Sequence, residues 1–291
     1  VHNVDFEMRG GVIGGEHRYI SSYSGSGATI AFTSGGNVAQ AGLQGLNGTL
    51  AGGIYIYRGN ERGDGNDVKL SGTAEISYNV AGSGSAFLLV EGSTIDISGS
   101  VVISHNVSTN GAVMSVSGSS FTMSGGTIEE NSGSNQLSVS MGTYSASFTM
   151  SGGYIRNNTG GSLGSESEAG KGAGTLLSVS STADQNKIDL SGVVITENEA
   201  YANAGVSISG GSVTVKNVTY SANRALQYYN TSGKLTSGAA VFTISKPATL
   251  TVTESTFSGN TAMGGNAGLN VSSRSNTQYT ISDVNISDNS A

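Results

Sequence analysis

The chain has 291 residues, with 13 Lys and Arg against 20 Asp and Glu and a formal net charge of −7. Gly (45), Ser (48), Thr (26) and Asn (24) together make up about half of it, Pro occurs once, and Cys and Trp are absent. Without Cys there are no disulfides, thiolate metal sites or cysteine nucleophile. Low charge and a single Pro argue against a charge-swollen disordered chain, and Gly without a strict triplet period excludes collagen. So few cations cannot form a broad phosphate-binding face, so no nucleic-acid partner is expected. The longest apolar run, Ala86–Val90, is far below the eighteen or so residues of a membrane span, so no transmembrane segment is expected.

In chain order, residues 1–67 are the less regular part. The chain opens Val1-His2-Asn3, with no initiator Met or leader, which reads as a processed or excised product. Gly11–Gly15, Thr29–Phe32 and Gly53–Tyr57 read as strands without an anchoring Asn, and the segment is expected to supply the first coils and a cap.

Residues 68–291 carry a repeat. Phe121-Thr122-Met123-Ser124-Gly125-Gly126-Thr127-Ile128-Glu129-Glu130-Asn131 recurs as Phe148-Thr149-Met150-Ser151-Gly152-Gly153-Tyr154-Ile155-Arg156-Asn157-Asn158. A relaxed pattern of alternating apolar residues, a small-residue corner, another apolar residue and an Asn gives eight copies. They are anchored at Asn79, Asn106, Asn131, Asn158, Asn198, Asn223, Asn260 and Asn289. Phe121-Thr122-Met123 has the two-residue period of a strand with one buried face, and Ser124-Gly125-Gly126 is a turn. A third strand is expected after each Asn, marked by Gly111–Val113, Ala204–Val206, Gly238–Val241 and Ala267–Leu269. Helices are excluded by the density of Gly and β-branched residues. An antiparallel sandwich suits short strands but does not explain why equivalent positions recur; stacking does, since like side chains then lie about 4.8 Å apart. The expected fold is all-β, a parallel β-helix of about ten coils with three strands each.

Two apolar files are expected inside. One is Leu70, Ile97, Met123, Met150, Leu190, Val215, Val252 and Ile281, and the other is Ile76, Ile103, Ile128, Ile155, Ile195, Tyr220, Phe257 and Ile286. The eight asparagines are expected to form a structural ladder at a tight corner, each tolerating left-handed backbone geometry and offering its amide to the coils above and below.

Phe257-Ser258-Gly259-Asn260 followed by Gly264-Gly265-Asn266-Ala267 resembles the paired Phe-x-x-Asn and Gly-Gly-Ala-aliphatic repeats of chlamydial polymorphic outer-membrane proteins, with Asn266 interrupting the second half. Similar repeats occur in adhesin-like proteins of methanogenic archaea and host-associated bacteria. The resemblance, over residues 68–291, implies right-handed β-helix architecture of the pectin-lyase-like group and, with the composition, an extracellular cell-surface location. Fold alone does not imply function.

Little in the sequence points to catalysis. A polysaccharide lyase or hydrolase needs carboxylates converging on one substrate. Asp96 and Asp189 share a repeat position but lie three coils apart; Glu129 and Glu197 read as sharing another, with Arg156 between them; Glu129 and Glu130 read as facing opposite ways. Gly63-Asp64-Gly65-Asn66-Asp67 resembles one calcium-binding nonapeptide unit, making Asp64, Asn66 and Asp67 the only metal candidates, but such sites draw ligands from two successive turns and here there is one copy. Arg62-Gly63-Asp64 spells an integrin-recognised tripeptide. Seven Asn-x-Ser/Thr sequons begin at Asn47, Asn106, Asn157, Asn217, Asn230, Asn270 and Asn285, no more than this composition gives by chance. Thr249–Thr253 offers an ice-binding-like row that other coils do not continue.

Insertions at Gly160–Gln185 and Gln227–Lys234 are expected to be loops and contact surfaces. Ending two residues after Asn289, the chain is expected to be either cut there or covered by a neighbouring subunit. The expectation is a non-enzymatic structural or adhesive element without cofactors. Its expected partners are other copies of itself, in a homo-oligomer or filament, or a ligand on a host or neighbouring-cell surface.

Overall fold

A computed structural model describes residues 6–14, 53–57, 67–81, 85–90, 94–108, 111–141, 146–161, 174–229, 232, 234–236, 238–275 and 277–291. The described residues are all-β with no helix, and they form a parallel β-helix. The coil around Asn131 shows the unit: strands Ser120–Met123 and Thr127–Glu129, the two-residue strand Ser132–Gly133, and strand Asn135–Ser140. The first, second and fourth are the three expected strands. The two-residue strand directly after the Asn is an addition that no hydrophobic alternation announces, because it is too short to show a period.

Each strand pairs in parallel with its counterpart one coil away. Phe121 sits beside Phe148, Met123 beside Met150, Ile128 beside Ile155, and Val139 beside Val179. A 16-stranded sheet contains the first two strand files, joined because Asp67–Ser77 runs through both, and a 14-stranded sheet contains the others, joined through Glu199–Ser209. Nine coils are represented among the described residues, counted along the first file. Corners are stitched as well: Ser124 N–H donates to Ile97 O (2.9 Å) and Thr127 N–H to Val101 O (2.8 Å).

The core follows from alternation. Inward residues such as Leu70, Ile76, Met123, Ile128, Met150, Ile155, Leu190 and Ile195 are fully buried and form a single cluster. Phe121 stacks on Phe148 with centroids 5.3 Å apart, while Tyr220, Phe242 and Phe257 meet edge to face. Burial pushes the Tyr220 phenol far up, so it stays neutral. Two expected core residues are not buried. Ile281 and Ile286 are 46 % and 55 % exposed, and Tyr279 is 66 % exposed, because their coil has a neighbour on one side only.

Strand Phe6–Gly14 pairs with Asp67–Ser77 and aligns Met8 with Leu70 and Ile13 with Ile76. It repeats the Phe-x-Met-x-Gly-Gly-x-Ile unit of the fourth and fifth coils, and Gly11 (φ 89°) adopts the same left-handed corner as Gly126 (90°) and Gly153 (96°). A Cβ on Gly126 would lie 2.7 Å from Val101 O, so this corner requires glycine. Ile54–Tyr57 is a strand as expected, whereas Thr29–Phe32 lies outside the described residues. The two loop assignments need correction. Gly174–Ser180 is a strand with Leu176, Leu177 and Val179 buried. Tyr228–Tyr229 pairs antiparallel with Leu235–Thr236, so that insertion carries a strand of its own.

Replacing Ile128 with Asp places an unpartnered carboxylate in the core and is expected to cost at least about 4 kcal/mol. Thr251→Asp, on the outward side of its strand, should change stability by no more than about 0.5 kcal/mol. Thermal unfolding followed by circular dichroism compares the two; equal melting temperatures would contradict the inward assignment.

Candidate functional site

The most extended polar arrangement among the described residues lies inside the coils. Asn79, Asn106, Asn131, Asn158, Asn198, Asn223 and Asn260 are at most 8 % exposed, and Asn289 is half-buried. Each Oδ1 from Asn106 onward accepts two bonds from the preceding Asn, one from its backbone N–H and one from its Nδ2. At Asn131 these come from Asn106 at 2.9 and 3.0 Å; at Asn158, from Asn131 at 3.0 and 3.1 Å. The chain of bonds continues through Asn198, Asn223 and Asn260 to Asn289. Each Nδ2 also donates to a carbonyl one coil back: Ile76 for Asn106, Ile103 for Asn131, Ile128 for Asn158, Ile155 for Asn198. Only Asn fits this geometry. Asp lacks the donor, Ser is too short, and Gln would need a deeper corner.

The asparagines themselves do not take the left-handed conformation expected of them. The residue immediately before each one does: Tyr78, His105, Glu130, Asn157, Glu197, Ala222, Gly259 and Asp288 have φ between 53° and 64°. For a residue with a Cβ this conformation costs roughly 1–2 kcal/mol. The reversal it produces points the following Asn inward, so the amide bonds offset a strain that would otherwise open the corner.

That corner also re-sorts the carboxylates. Asp96 and Asp189 do share a file, separated by Thr122 and Thr149. Glu129 aligns with Arg156 and then Thr196, so Glu197 belongs instead with Glu130 and Asn157. Glu130 does not face the side opposite Glu129, because its left-handed backbone breaks the alternation and turns it outward, where it meets His105 Nε2 at 2.6 Å. Tyr78 stacks on the His105 ring at 4.5 Å. Glu129 pairs with Arg156 at 2.8 Å and Glu199 with Arg224 at 3.3 Å. Among the described residues no three His, Asp or Glu converge as metal ligands. Asp67 opens its strand and accepts a bond from Thr94 of the next coil; Asp64, Asn66 and the Arg62-Gly63-Asp64 tripeptide lie outside the described residues.

Two buried amides were not singled out from sequence. Asn186, outside the repeat register, accepts from Ala146 N–H (3.3 Å) and donates to Ser181 Oγ (3.0 Å). Gln136 donates to Thr159 O at 2.9 Å. A signal existed for Gln136, since the residues level with it in the neighbouring coils, Val113 and Leu176, are apolar and buried.

These features define a class: a parallel β-helix whose corner is closed by a continuous buried asparagine ladder. No protein-family model, curated protein or solved structure matches the chain.

Asn158→Ala strands the donors of Asn131 and the carbonyl of Ile128 in a dry corner and should cost roughly 3–5 kcal/mol. Asn289→Ala, at the half-buried end, should cost about 1 kcal/mol, because water can replace the lost partner. Ala222→Gly relieves a left-handed Cβ and should raise stability by about 0.5 kcal/mol. Urea unfolding of the three variants tests the order; equal effects of the two Asn changes would contradict a ladder buried along its length.

Proposed function

We propose that this protein is a non-enzymatic extracellular β-helix that serves at a cell surface as a rigid structural or adhesive element. The observation that carries the reading is the division of labour between inside and outside. The specialised polar bonding is turned inward into the ladder, while the outward files alternate short hydroxyl side chains with scattered charges. Thr122, Thr149, Thr214, Thr251 and Thr280 occupy one outward position, which Glu7, Lys69, Asp96 and Asp189 fill in the other coils, and Ser115, Ser138, Ser178 and Ser207 occupy another. Several outward charges are neutralised across coils, as in Glu129–Arg156, Glu199–Arg224 and Lys216–Glu254. Nine coils at about 4.8 Å give a rod of roughly 40 Å. The Phe257-Ser258-Gly259-Asn260 unit, which resembles the repeats of polymorphic outer-membrane proteins, supports a surface location. No helix among the described residues is long and apolar enough to cross a membrane.

A second reading, a self-assembling subunit of a filament, sheath or surface layer, is favoured by one feature. Every strand file pairs in parallel with its counterpart in the next coil, a pattern that the strands of another copy could continue.

Incubation with acidic and neutral polysaccharides, with and without calcium, should release no new reducing ends or unsaturated products, while fluorescently labelled protein should bind intact cells of the source or their neighbours. Bond cleavage would overturn the non-enzymatic reading, and absence of binding together with long filaments in electron micrographs would favour the second.

A further inference from the structure

The seven sequons separate once their surroundings are known. Asn47 and Asn230 lie outside the described residues. Asn157 and Asn217 are exposed corner residues with left-handed backbones (φ 54° and 50°), and their partner hydroxyls, Thr159 and Thr219, are half-buried at the start of the next strand. Asn270 and Asn285 are exposed on strands. Asn106-Val107-Ser108 is the opposite case. Asn106 is a fully buried ladder residue whose Nδ2 faces three acceptors, Ile76 O (2.9 Å), Ser104 O (2.9 Å) and Asn131 Oδ1 (3.0 Å). Ser108 is buried too, its Oγ donating to Ala112 O at 2.8 Å.

We propose that Asn157 and Asn217 are acceptor sites for N-linked glycans, and that Asn106 must remain unmodified for the fold to form. In the transfer, Nδ2 attacks C1 of an oligosaccharide held on a lipid diphosphate. The N–C1 bond forms, the C1–O bond to the diphosphate breaks, one amide proton passes to a base of the transferase, and the lipid diphosphate leaves. At Asn157 and Asn217 the attached sugar projects from a corner into solvent and leaves the strand pairing intact. At Asn106 it removes an N–H used in the ladder and places a sugar ring where the neighbouring coils stand, a volume the packed corner does not have. The fold therefore tolerates N-glycosylating export only if the Asn106 sequon is skipped.

The test uses the whole chain secreted from a yeast host that attaches high-mannose oligosaccharide, with unglycosylated chain from bacterial cytosol as the folded reference. Glycopeptide mass spectrometry is run separately on the soluble, protease-resistant fraction and on the aggregated fraction. The soluble fraction should carry glycan at Asn157 and Asn217 and none at Asn106, with Asn106-modified chains confined to the aggregate. Asn157→Gln and Asn217→Gln should each remove one glycan mass and leave protease resistance unchanged. Ser108→Ala, first shown to fold when made in bacterial cytosol, should deplete the aggregate in yeast. A glycan on Asn106 in soluble, protease-resistant chain would overturn the proposal, as would secreted chain bare at both Asn157 and Asn217.

Discussion

A side-chain amide can do what a backbone amide does, donating and accepting along one line, and this structure depends on that equivalence. At the corner after the second strand the chain reverses through a left-handed residue, and ordinary strand pairing is interrupted there. The Asn that follows turns inward and restores the pairing with its side chain, bonding to the next Asn on one side and to a carbonyl of the previous coil on the other. Because each amide is both donor and acceptor, the bonds run head to tail and polarise one another in a dry corner. An interruption leaves buried partners on both sides of the gap, so the ladder fixes coil spacing and register together.

The apolar core supplies the bulk driving force but little of that register. Its inward files mix Leu, Ile, Met, Val, Phe and Tyr, and a slip by one coil would still place an apolar residue on an apolar residue. What resists such slips is the corner geometry. Coils with a Gly-Gly turn, such as those of Met123–Ile128 and Met150–Ile155, space the two strands differently from Leu70–Ile76, and the resulting irregularity is visible as a register shift between Met8 and Gly10. Variable insertions leave from the long strand file or follow the two-residue strand, away from the ladder, so length changes there do not disturb the stack.

Much of this was legible in the sequence because a stacked fold writes each interior file as a repeat. The eight asparagines and the inward Ile and Leu positions were found by recurrence, without knowledge of the third dimension. Recurrence failed where a position had a different occupant in each copy. The left-handed residue before each Asn is Tyr, His, Glu, Asn, Ala, Gly or Asp, and so shares no chemistry that a pattern could detect. Glu130 was misread for a related reason, since alternation holds along a strand and ends at the corner. Strand Gly174–Ser180 was hidden among Gly and Ser of the preceding insertion, although its Leu-Leu-x-Val core repeats the inward positions of Asn135–Ser140. At Phe6–Gly14 only the Gly11–Gly15 part reads as a strand, because that coil has no Asn at the place where the other copies carry their anchor.

Backbone amide hydrogen exchange, followed residue by residue by NMR, tests the continuity of the ladder most directly. If the bonds from Asn131 to Asn158, from Asn158 to Asn198 and from Asn198 to Asn223 form one unbroken row, the N–H groups of Asn131, Asn158 and Asn198 will exchange together, at the rate of the most protected core strands. Exchange of any one of them at the rate of an unprotected, solvent-exposed amide would contradict it.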